Sequence, residues 1–351
     1  MNMPQRKRVL ALQRESLVAP GVPSLSVAAR ITEALDYLQD AGKIDYTSIS
    51  ENDAAAPNGV RWADAVILSK HSSKAALDLT SEARRLNKRV IYDLDDWIFS
   101  FPRYSGGKQN NDKTALIMGI LEQCHAVTVA NHRLQDKLKT MLPDTHYVPN
   151  GMWVEKYVPT GMPGGVPPVG SRRIVFTNAD FIKMEQSKEL LLTALQLFFI
   201  RHPEFLMDFY GDPFPEIVSL PFLHFTNRMP YEQYIRSLIS GGYLLSITPL
   251  GADEDPAAAE FNACKNPFKY LNYGTAGIPG IYSASPIYTG CIKHGETGLI
   301  VDNTLAAWTD ALETLAFDDA LQQRIRRTAF DDILSHHHIR HSAAALEALL
   351  L

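Results

Sequence analysis

Two lysines lie where a polar loop leads into a predicted helix, within FNACKNPFKYLNYGTAGIPG at 261–280. At a helix N-terminus, free backbone N–H groups and the positive end of the helix dipole point the same way and favour an anion. Lys265 and Lys269 add mobile positive charge at this point. We therefore expect a phosphate or diphosphate to bind where the loop becomes the helix.

Carboxylates follow a predicted strand in the first half of the chain, at Asp93, Asp95 and Asp96. The carboxyl ends of parallel strands face the ligand cleft of α/β proteins, so Asp95 and Asp96 are candidate catalytic residues that face an acceptor. Two alternatives stay open. The acidic residues can cap a helix, or they can hold a divalent cation on a diphosphate.

Two other strand ends carry weaker signals. His71 follows the predicted strand AVILS and is a candidate acid–base catalyst, with an exposed polar histidine as the alternative. Gly21 lies in the first predicted strand-to-helix loop, where glycine permits close approach of backbone to a ligand. The alternative for Gly21 is a plain turn.

The elements that must position these residues alternate between strand and helix along the whole chain. Apolar runs predict strands at 8–12, 65–69, 89–94, 126–130, 146–150, 173–177, 205–211, 243–250, 279–283 and 299–302. Helical spacing predicts helices at 26–41, 73–87, 114–124, 131–141, 186–201, 231–239 and 267–276, and a mostly helical tail from 304 onward. This alternation predicts an α/β protein with parallel sheets covered by helices.

Proline and glycine cluster at 158–171, VPTGMPGGVPPVGS, which predicts an interdomain linker. The expected organisation is an N-terminal domain at 1–157, a C-terminal domain at 172–330 and a helical tail at 331–351. A chain of 351 residues suits two domains of ordinary size.

Composition narrows the class of protein. Apolar residues make up 46% of the chain, enough for two packed cores, and the net charge of -5 argues against bulk electrostatic binding to nucleic acid. Three widely spaced cysteines predict neither a disulfide framework nor a zinc site. The N-terminal sequence has no signal-peptide pattern and no stretch approaches a membrane span, so we expect a cytoplasmic protein, with peripheral association at the inner membrane face left open.

The C-terminal half resembles the retaining "group 1" glycosyltransferases (family 4-like), which have two Rossmann-like domains in the GT-B fold. Their helix pattern Lys-x-x-Glu-Tyr-x-x-x-Gly-x-Pro is matched, apart from its Glu, by Lys269, Asn272, Tyr273, Gly277 and Pro279. Their Gly-x-x-Gly-Leu-hydrophobic-Val pattern is matched at 295–301. Asn272 replaces the Glu that typically meets the nucleotide ribose, and Cys264 stands where a second Glu is often found near the donor sugar. The likeness covers 173–315 well and 1–150 loosely.

The resemblance implies a sugar transfer from a nucleotide-sugar, a UDP- or GDP-sugar, to a hydroxyl on a glycan, lipid-linked or other acceptor. It implies a metal-independent, retaining reaction that needs no cofactor besides the donor, and a C-terminal helix that crosses back to the first domain. The donor would bind residues of the C-terminal domain, namely Asn178, Lys183, Lys188, Asn262, Lys265, Lys269, Asn272 and Tyr273. Glu260 would contact donor-sugar hydroxyls, with a flexible solvated loop at 251–260 as the alternative.

Other functions remain open at this stage. Asn272 and Cys264 favour a catalytically weak nucleotide-sugar-binding partner subunit. A DNA-base-modifying glycosyltransferase shares the fold, although the negative charge favours a protein without a nucleic-acid partner. A nucleotide-sugar epimerase is a third alternative.

Overall fold

The computed structural model describes residues 6–14, 22–99, 111–142, 144–162, 170–178, 188–211, 220–251 and 256–350. These residues build two parallel sheets, each flanked by helices. Every strand pairing within both sheets is parallel, in agreement with the buried, apolar character of most strands.

The first sheet has the strand order β2-β1-β3-β4-β5-β6. Its strands are β1 Lys7–Gln13, β2 Ile44–Ser50, β3 Ala65–Ser69, β4 Arg89–Leu94, β5 Ala126–Val129 and β6 Thr145–Tyr147. Helices cover it at α1 Leu25–Val27, α2 Glu33–Asp40, α3 Ala56–Trp62, α4 Lys74–Arg85, α5 Asn111–Leu121 and α6 His132–Lys139. A π-helical turn, Ala28–Thr32, joins α1 to α2.

The second sheet has the order β12-β11-β10-β7-β8-β9. Its strands are β7 Arg173–Asn178, β8 Leu206–Gly211, β9 Leu223–Thr226, β10 Leu245–Thr248, β11 Gly280–Ser283 and β12 Leu299–Val301. The helices from the connection onward are α7 Val154–Tyr157, α8 Lys188–Arg201, α9 Tyr231–Ser240, α10 Pro256–Ala263, α11 Phe268–Thr275, α12 Pro286–Thr289, α13 Leu305–Phe317, α14 Asp319–His336 and α15 Ile339–Leu350.

The chain crosses between the two halves twice, and the crossings touch. Met152 donates its N–H to the carbonyl of His337 at 2.8 Å, and Ile339 donates to the carbonyl of Met152 at 2.9 Å. Beyond this point α15 packs on the first half, where Ile339 and Leu346 join the buried cluster around Leu35. The predicted return of the C-terminal helix to the N-terminal half is confirmed.

All ten predicted strands are present, and the predicted pair of Rossmann-like units is confirmed. Two strands, β2 and β9, were not predicted; both lie at sheet edges and are only partly buried. Edge strands bury fewer side chains, so IDYTSIS and LHFT lack a continuous apolar run. The domain boundaries remain predictions, since 163–169 of the expected linker lie outside the described residues.

The residues that the structure describes include no helix long and apolar enough to cross a membrane.

The touching crossings leave no space at Gly151. A Cβ atom there would lie 2.5 Å from Ser342 Oγ and 2.8 Å from Ile339 Cα. We expect Gly151→Ala to lower the free energy of unfolding by about 2 kcal/mol, because the backbone of the second crossing must move. Urea unfolding measures this effect. Gly119→Ala, within α5, is the control, because an added Cβ there would lie at an ordinary 3.4 Å from Leu77 Cδ1. We expect no loss of stability in this variant, since alanine favours the helix. Equal stability of both variants would contradict the close packing.

Candidate functional site

A cleft of about 390 Å³ opens where the carboxyl ends of both sheets face each other. The first half supplies residues that follow β1, β3 and β4, and the second half supplies residues from the ends of β7 and β10 and from α9, α11 and α12. The charged and amide side chains lining it are Arg14, Lys70, Asp95, Asp96, Asn178, Arg228, Lys265, Asn266, Lys269 and Asn272. This is the location that open α/β sheets use for ligands.

The first wall is built around a lysine and two carboxylates. Lys70 Nζ lies 2.5 Å from Asp95 and 3.4 Å from Asp96. Asp95 is 1% exposed, and its burial raises its carboxyl pKa while the ammonium of Lys70 opposes that rise. No helix begins within 95–99, so the capping alternative finds no support there. Within the described ranges, no group of three or more His, Cys, Asp and Glu side chains is arranged to hold a metal ion.

Asp93 lies behind this wall and contacts an arginine instead of the cleft. Arg30 Nη2 lies 2.6 Å and Arg30 Nε 3.0 Å from the Asp93 carboxylate, and both side chains are almost fully buried. Arg30 also donates to Asn150 Oδ1 at 2.7 Å. This pair holds the end of β4, from which Asp95 and Asp96 follow.

The second wall is the loop before α11, and it touches the first wall directly. Asn266 Nδ2 donates to Asp95 at 3.2 Å, and Lys265 Nζ lies 3.7 Å from Asp96. The carbonyl of Lys265 accepts from Asn131 Nδ2 at 2.7 Å. The loop predicted to bind phosphate is therefore fixed to the first half at the cleft.

The lining charges are unequal in sign. Five described cations, Arg14, Lys70, Arg228, Lys265 and Lys269, face two described carboxylates, Asp95 and Asp96. The cleft therefore has an excess of positive charge beside the N-terminus of α11, although the whole chain is negative. Such a site attracts a multiply charged anion such as a diphosphate.

Asn272 lies on the cleft face of α11, 5% exposed, and its Oδ1 accepts a hydrogen bond from the Tyr231 hydroxyl at 3.0 Å. The next residue, Tyr273, is fully buried in the apolar cluster behind the helix and does not line the cleft. The side chains of Asn272 and Tyr273 lie on different faces of α11, because successive residues on a helix point in different directions.

His71 does not reach the cleft. Its ring is fully buried, and Nδ1 accepts the N–H of Ser69 at 3.0 Å. Burial, together with the nearby charge of Arg14, lowers the pKa of His71 to about 3, so the ring is neutral at physiological pH. Nε2 has no hydrogen-bond partner among the described residues.

Glu260 also turns away from the cleft. It lies in α10 instead of the expected loop, and Arg133 of the first half contacts its carboxylate at 2.5 Å. The hydrogen bond from Arg133 lowers the pKa of Glu260. Asn262, in the same helix, is fully buried and donates to the carbonyl of Gly251 at 2.7 Å. Glu260 and Asn262 thus hold α10, the helix directly before the loop that carries Lys265.

The remaining candidates divide into three cases. Asn178 lines the cleft at the end of β7, whereas Lys188 begins α8 and is not among the lining residues. Gly21 and Lys183 lie outside the described residues.

Three lining cations were not predicted as site residues, namely Arg14, Lys70 and Arg228. Lys70 and Arg14 each follow a predicted strand, so the strand-end rule used for His71 was sufficient to find them. Arg228 precedes a helix in a stretch without a strand prediction, and no sequence signal marked it.

The fold is shared with solved glycosyltransferases. HepE from Anabaena, in complex with UDP and glucose, is similar at a TM-score of 0.64 and 12% identity, over 98% of this chain and 99% of that one. A glycosyltransferase from Rickettsia africae is similar at a TM-score of 0.64 and 11% identity, over 99% and 98%. The GtfA/B complex is similar at 0.52 and 15%, over 84% of this chain and 59% of that one. No protein-family model and no curated protein sequence matches the chain. At these identities the likeness establishes the GT-B fold.

The buried neutral imidazole of His71 predicts a specific loss of stability in acid. Its folded pKa of about 3 lies below the ordinary value of 6.5, so its contribution is complete above about pH 6.5 and is lost as the pH falls toward 3. We expect the wild type to lose up to about 1.4 kcal/mol per pH unit more than His71→Asn in this interval. Urea unfolding from pH 7 to 4 measures the difference in slope. The exposed His341→Asn is the control, and parallel slopes for wild type and His71→Asn would contradict this assignment.

Proposed function

We propose that this chain is a glycosyltransferase that moves a sugar from a nucleoside-diphosphate sugar to an acceptor hydroxyl in the cleft. One observation carries the proposal: a GT-B cleft in which the cationic loop and N-terminus of α11 face the carboxylates of Asp95 and Asp96 on the opposite half. The cations suit the diphosphate of the donor, and the carboxylates suit the hydroxyl groups of an acceptor.

The donor would place its diphosphate against Lys265, Lys269 and the first turn of α11, with Asn272 nearer the nucleoside. Asn178 lines the same wall, and Lys183 or Lys188 remains proposed as a further cation. Since HepE was solved with UDP-glucose, we favour a UDP-sugar over a GDP-sugar.

In the proposed reaction the bond from the sugar C1 to the diphosphate oxygen breaks and a bond from C1 to the acceptor oxygen forms. The acceptor hydroxyl loses its proton, and an oxygen of the departing diphosphate can accept it. Lysines and helix N–H groups would stabilise the leaving charge, as expected for a metal-independent reaction. We propose a retaining outcome on the resemblance of 173–315 to the group 1 enzymes.

The acceptor side would be formed by the first half. Asp96 is 28% exposed at its side chain and lines the cleft, so its carboxylate can accept a hydrogen bond from an acceptor hydroxyl. Asp95 is buried, and its carboxylate contacts Lys70 and Asn266 instead of facing an acceptor. A glycan or lipid-linked acceptor, reached in the cytoplasm or at the inner membrane face, remains our proposal.

A second candidate is a nucleotide-sugar-binding subunit with little activity of its own. Asn272 offers an amide instead of a carboxylate and has its oxygen bound by Tyr231. Cys264 is fully buried among apolar residues of the first half and is not a lining residue of the cleft. The GtfA/B complex, a structure with the same fold, is an assembly of two named components.

The two candidates differ in turnover. Calorimetric titration of the purified chain with UDP, GDP and ADP measures binding, and mass spectrometry measures consumption of the matching nucleotide-sugars with and without acceptors. Binding with consumption of donor supports the transferase. Binding without consumption supports the partner subunit, and the absence of binding to any nucleotide would exclude both.

The position of the diphosphate can be tested with charge-removing variants. We expect Lys265→Ala combined with Lys269→Ala to raise the Kd for UDP about 10- to 100-fold, because each lysine would lose a charge-assisted contact with phosphate. Calorimetry at pH 7.5 measures the change.

The matched control removes two exposed lysines, one from each half, by Lys139→Ala combined with Lys293→Ala. We expect this control to bind UDP as the wild type does. Unchanged affinity in the Lys265 and Lys269 variant, with the fold intact by circular dichroism, would refute the proposed diphosphate position.

A further inference from the structure

Lys70 has a backbone conformation that a lysine rarely adopts. Its φ is 52°, in the left-handed region, at the carboxyl end of β3. Its N–H donates to the carbonyl of Asp93 at 3.1 Å, and its own carbonyl accepts from Arg14 at 3.2 Å. A strained backbone conformation persists only where the surrounding structure holds it, and such residues cluster at functional sites. The strain at Lys70 is therefore a reason to ask what its side chain does.

The side chain of Lys70 is enclosed, 12% exposed, and directed at the two carboxylates. It contacts Asp95 at 2.5 Å and Asp96 at 3.4 Å. Burial pushes the pKa of Lys70 down, but the two carboxylates push it up further, so the ammonium stays charged.

Asp95 connects this lysine with the opposite half. The groups that the structure places on its carboxylate are donors, Lys70 Nζ on one oxygen and Asn266 Nδ2 on the other. An ionised carboxylate attracts the ammonium of Lys70 and accepts a stronger, charge-assisted hydrogen bond from Asn266 than a neutral carboxyl does. Burial opposes ionisation of Asp95 and the ammonium of Lys70 favours it, so the strength of the bond from Asn266 depends on the positive charge beside Asp95.

We propose that Lys70 is a positioning residue which, through Asp95, holds the Lys265–Asn266 segment of the second half at the cleft. Lys265 of this segment is proposed to bind the diphosphate, so the expected effect of Lys70 substitutions on nucleotide binding rests on the proposed function. The expected loosening of the Lys265–Asn266 segment does not depend on the proposed function.

Other charged groups face Asp95 and must be considered with Lys70. Arg14 follows β1, Arg30 lies in the π-helical turn, and Lys265 belongs to the second half. Arg30 contacts Asp93 directly, and Lys265 lies nearest to Asp96. Among the ion pairs described for Asp95, Lys70 is the cation in direct contact, which makes it the residue to change.

The test compares two substitutions of Lys70, one that removes its positive charge without disturbing the backbone and one that keeps the charge. Lys70→Asn removes the charge but tolerates the left-handed φ, since asparagine adopts it readily. Lys70→Arg keeps the charge. Lys74→Asn, an exposed lysine of α4, is the control. The combined Lys70→Asn and Asp95→Asn variant removes the titrating carboxylate as well.

Two measurements are made on each folded variant. Hydrogen exchange of the ligand-free protein at pH 7.5 reports how firmly the backbone amides within 262–268 are held, apart from Pro267, which has no N–H. Calorimetry with UDP from pH 5.5 to 8.5 reports the pH at which affinity falls, and the titration of UDP itself is common to all variants.

In Lys70→Asn we expect exchange at 262–268 to rise about 10-fold and the acid fall in UDP affinity to move up by about one pH unit. Lys70→Arg and Lys74→Asn should follow the wild type, and the double variant should lose the shift because position 95 no longer titrates. A folded Lys70→Asn variant with unchanged exchange, or equal behaviour of the Asn and Arg variants, would overturn the proposal. If the wild type binds no nucleotide, the proposed function fails, while the exchange measurement still decides the role of Lys70.

Discussion

The buried pair of Arg30 and Asp93 holds the first half of the cleft together. The guanidinium forms hydrogen bonds with Asp93, Asn150 and the carbonyl of Val148, and Thr128 donates to the same carboxylate at 2.8 Å. One cluster therefore connects the helix after β1, the ends of β4 and β5, and the first crossing of the chain. Two charges removed from water are costly unless their remaining bonds are satisfied, and here partners on several elements satisfy them.

Fixing the end of β4 determines how the two halves meet. The chain that leaves Asp93 brings Asp95 and Asp96 to the cleft, where the loop carrying Lys265 and Asn266 lies against them. Asp96 of the first wall thus faces Lys265 of the second wall. Lys265 makes this attraction across the cleft and is also one of the lysines proposed to bind the diphosphate, so under the proposed function the diphosphate and Asp96 share the same ammonium.

Local patterns predicted the sheets and the cationic loop well, because apolar runs and the residues before a helix are properties of adjacent positions. They did not predict side-chain directions, which depend on the opposite half for Glu260 and on packing within the first half for His71. Glu260 was expected at the donor and instead contacts Arg133, and His71 was expected in the cleft and is enclosed behind it. Lys70, its neighbour, lines the cleft as the strand-end rule allows, but its left-handed backbone could not be predicted, because a lysine rarely adopts that conformation.

The paired backbone hydrogen bonds at Met152 and at residues 337–339 have a mechanical consequence. Among the residues that the structure describes, two segments join the halves, and these hydrogen bonds hold them side by side, so one segment cannot shift without the other. The packing of the C-terminal helix on the first half and the path of the chain at Met152 therefore depend on each other.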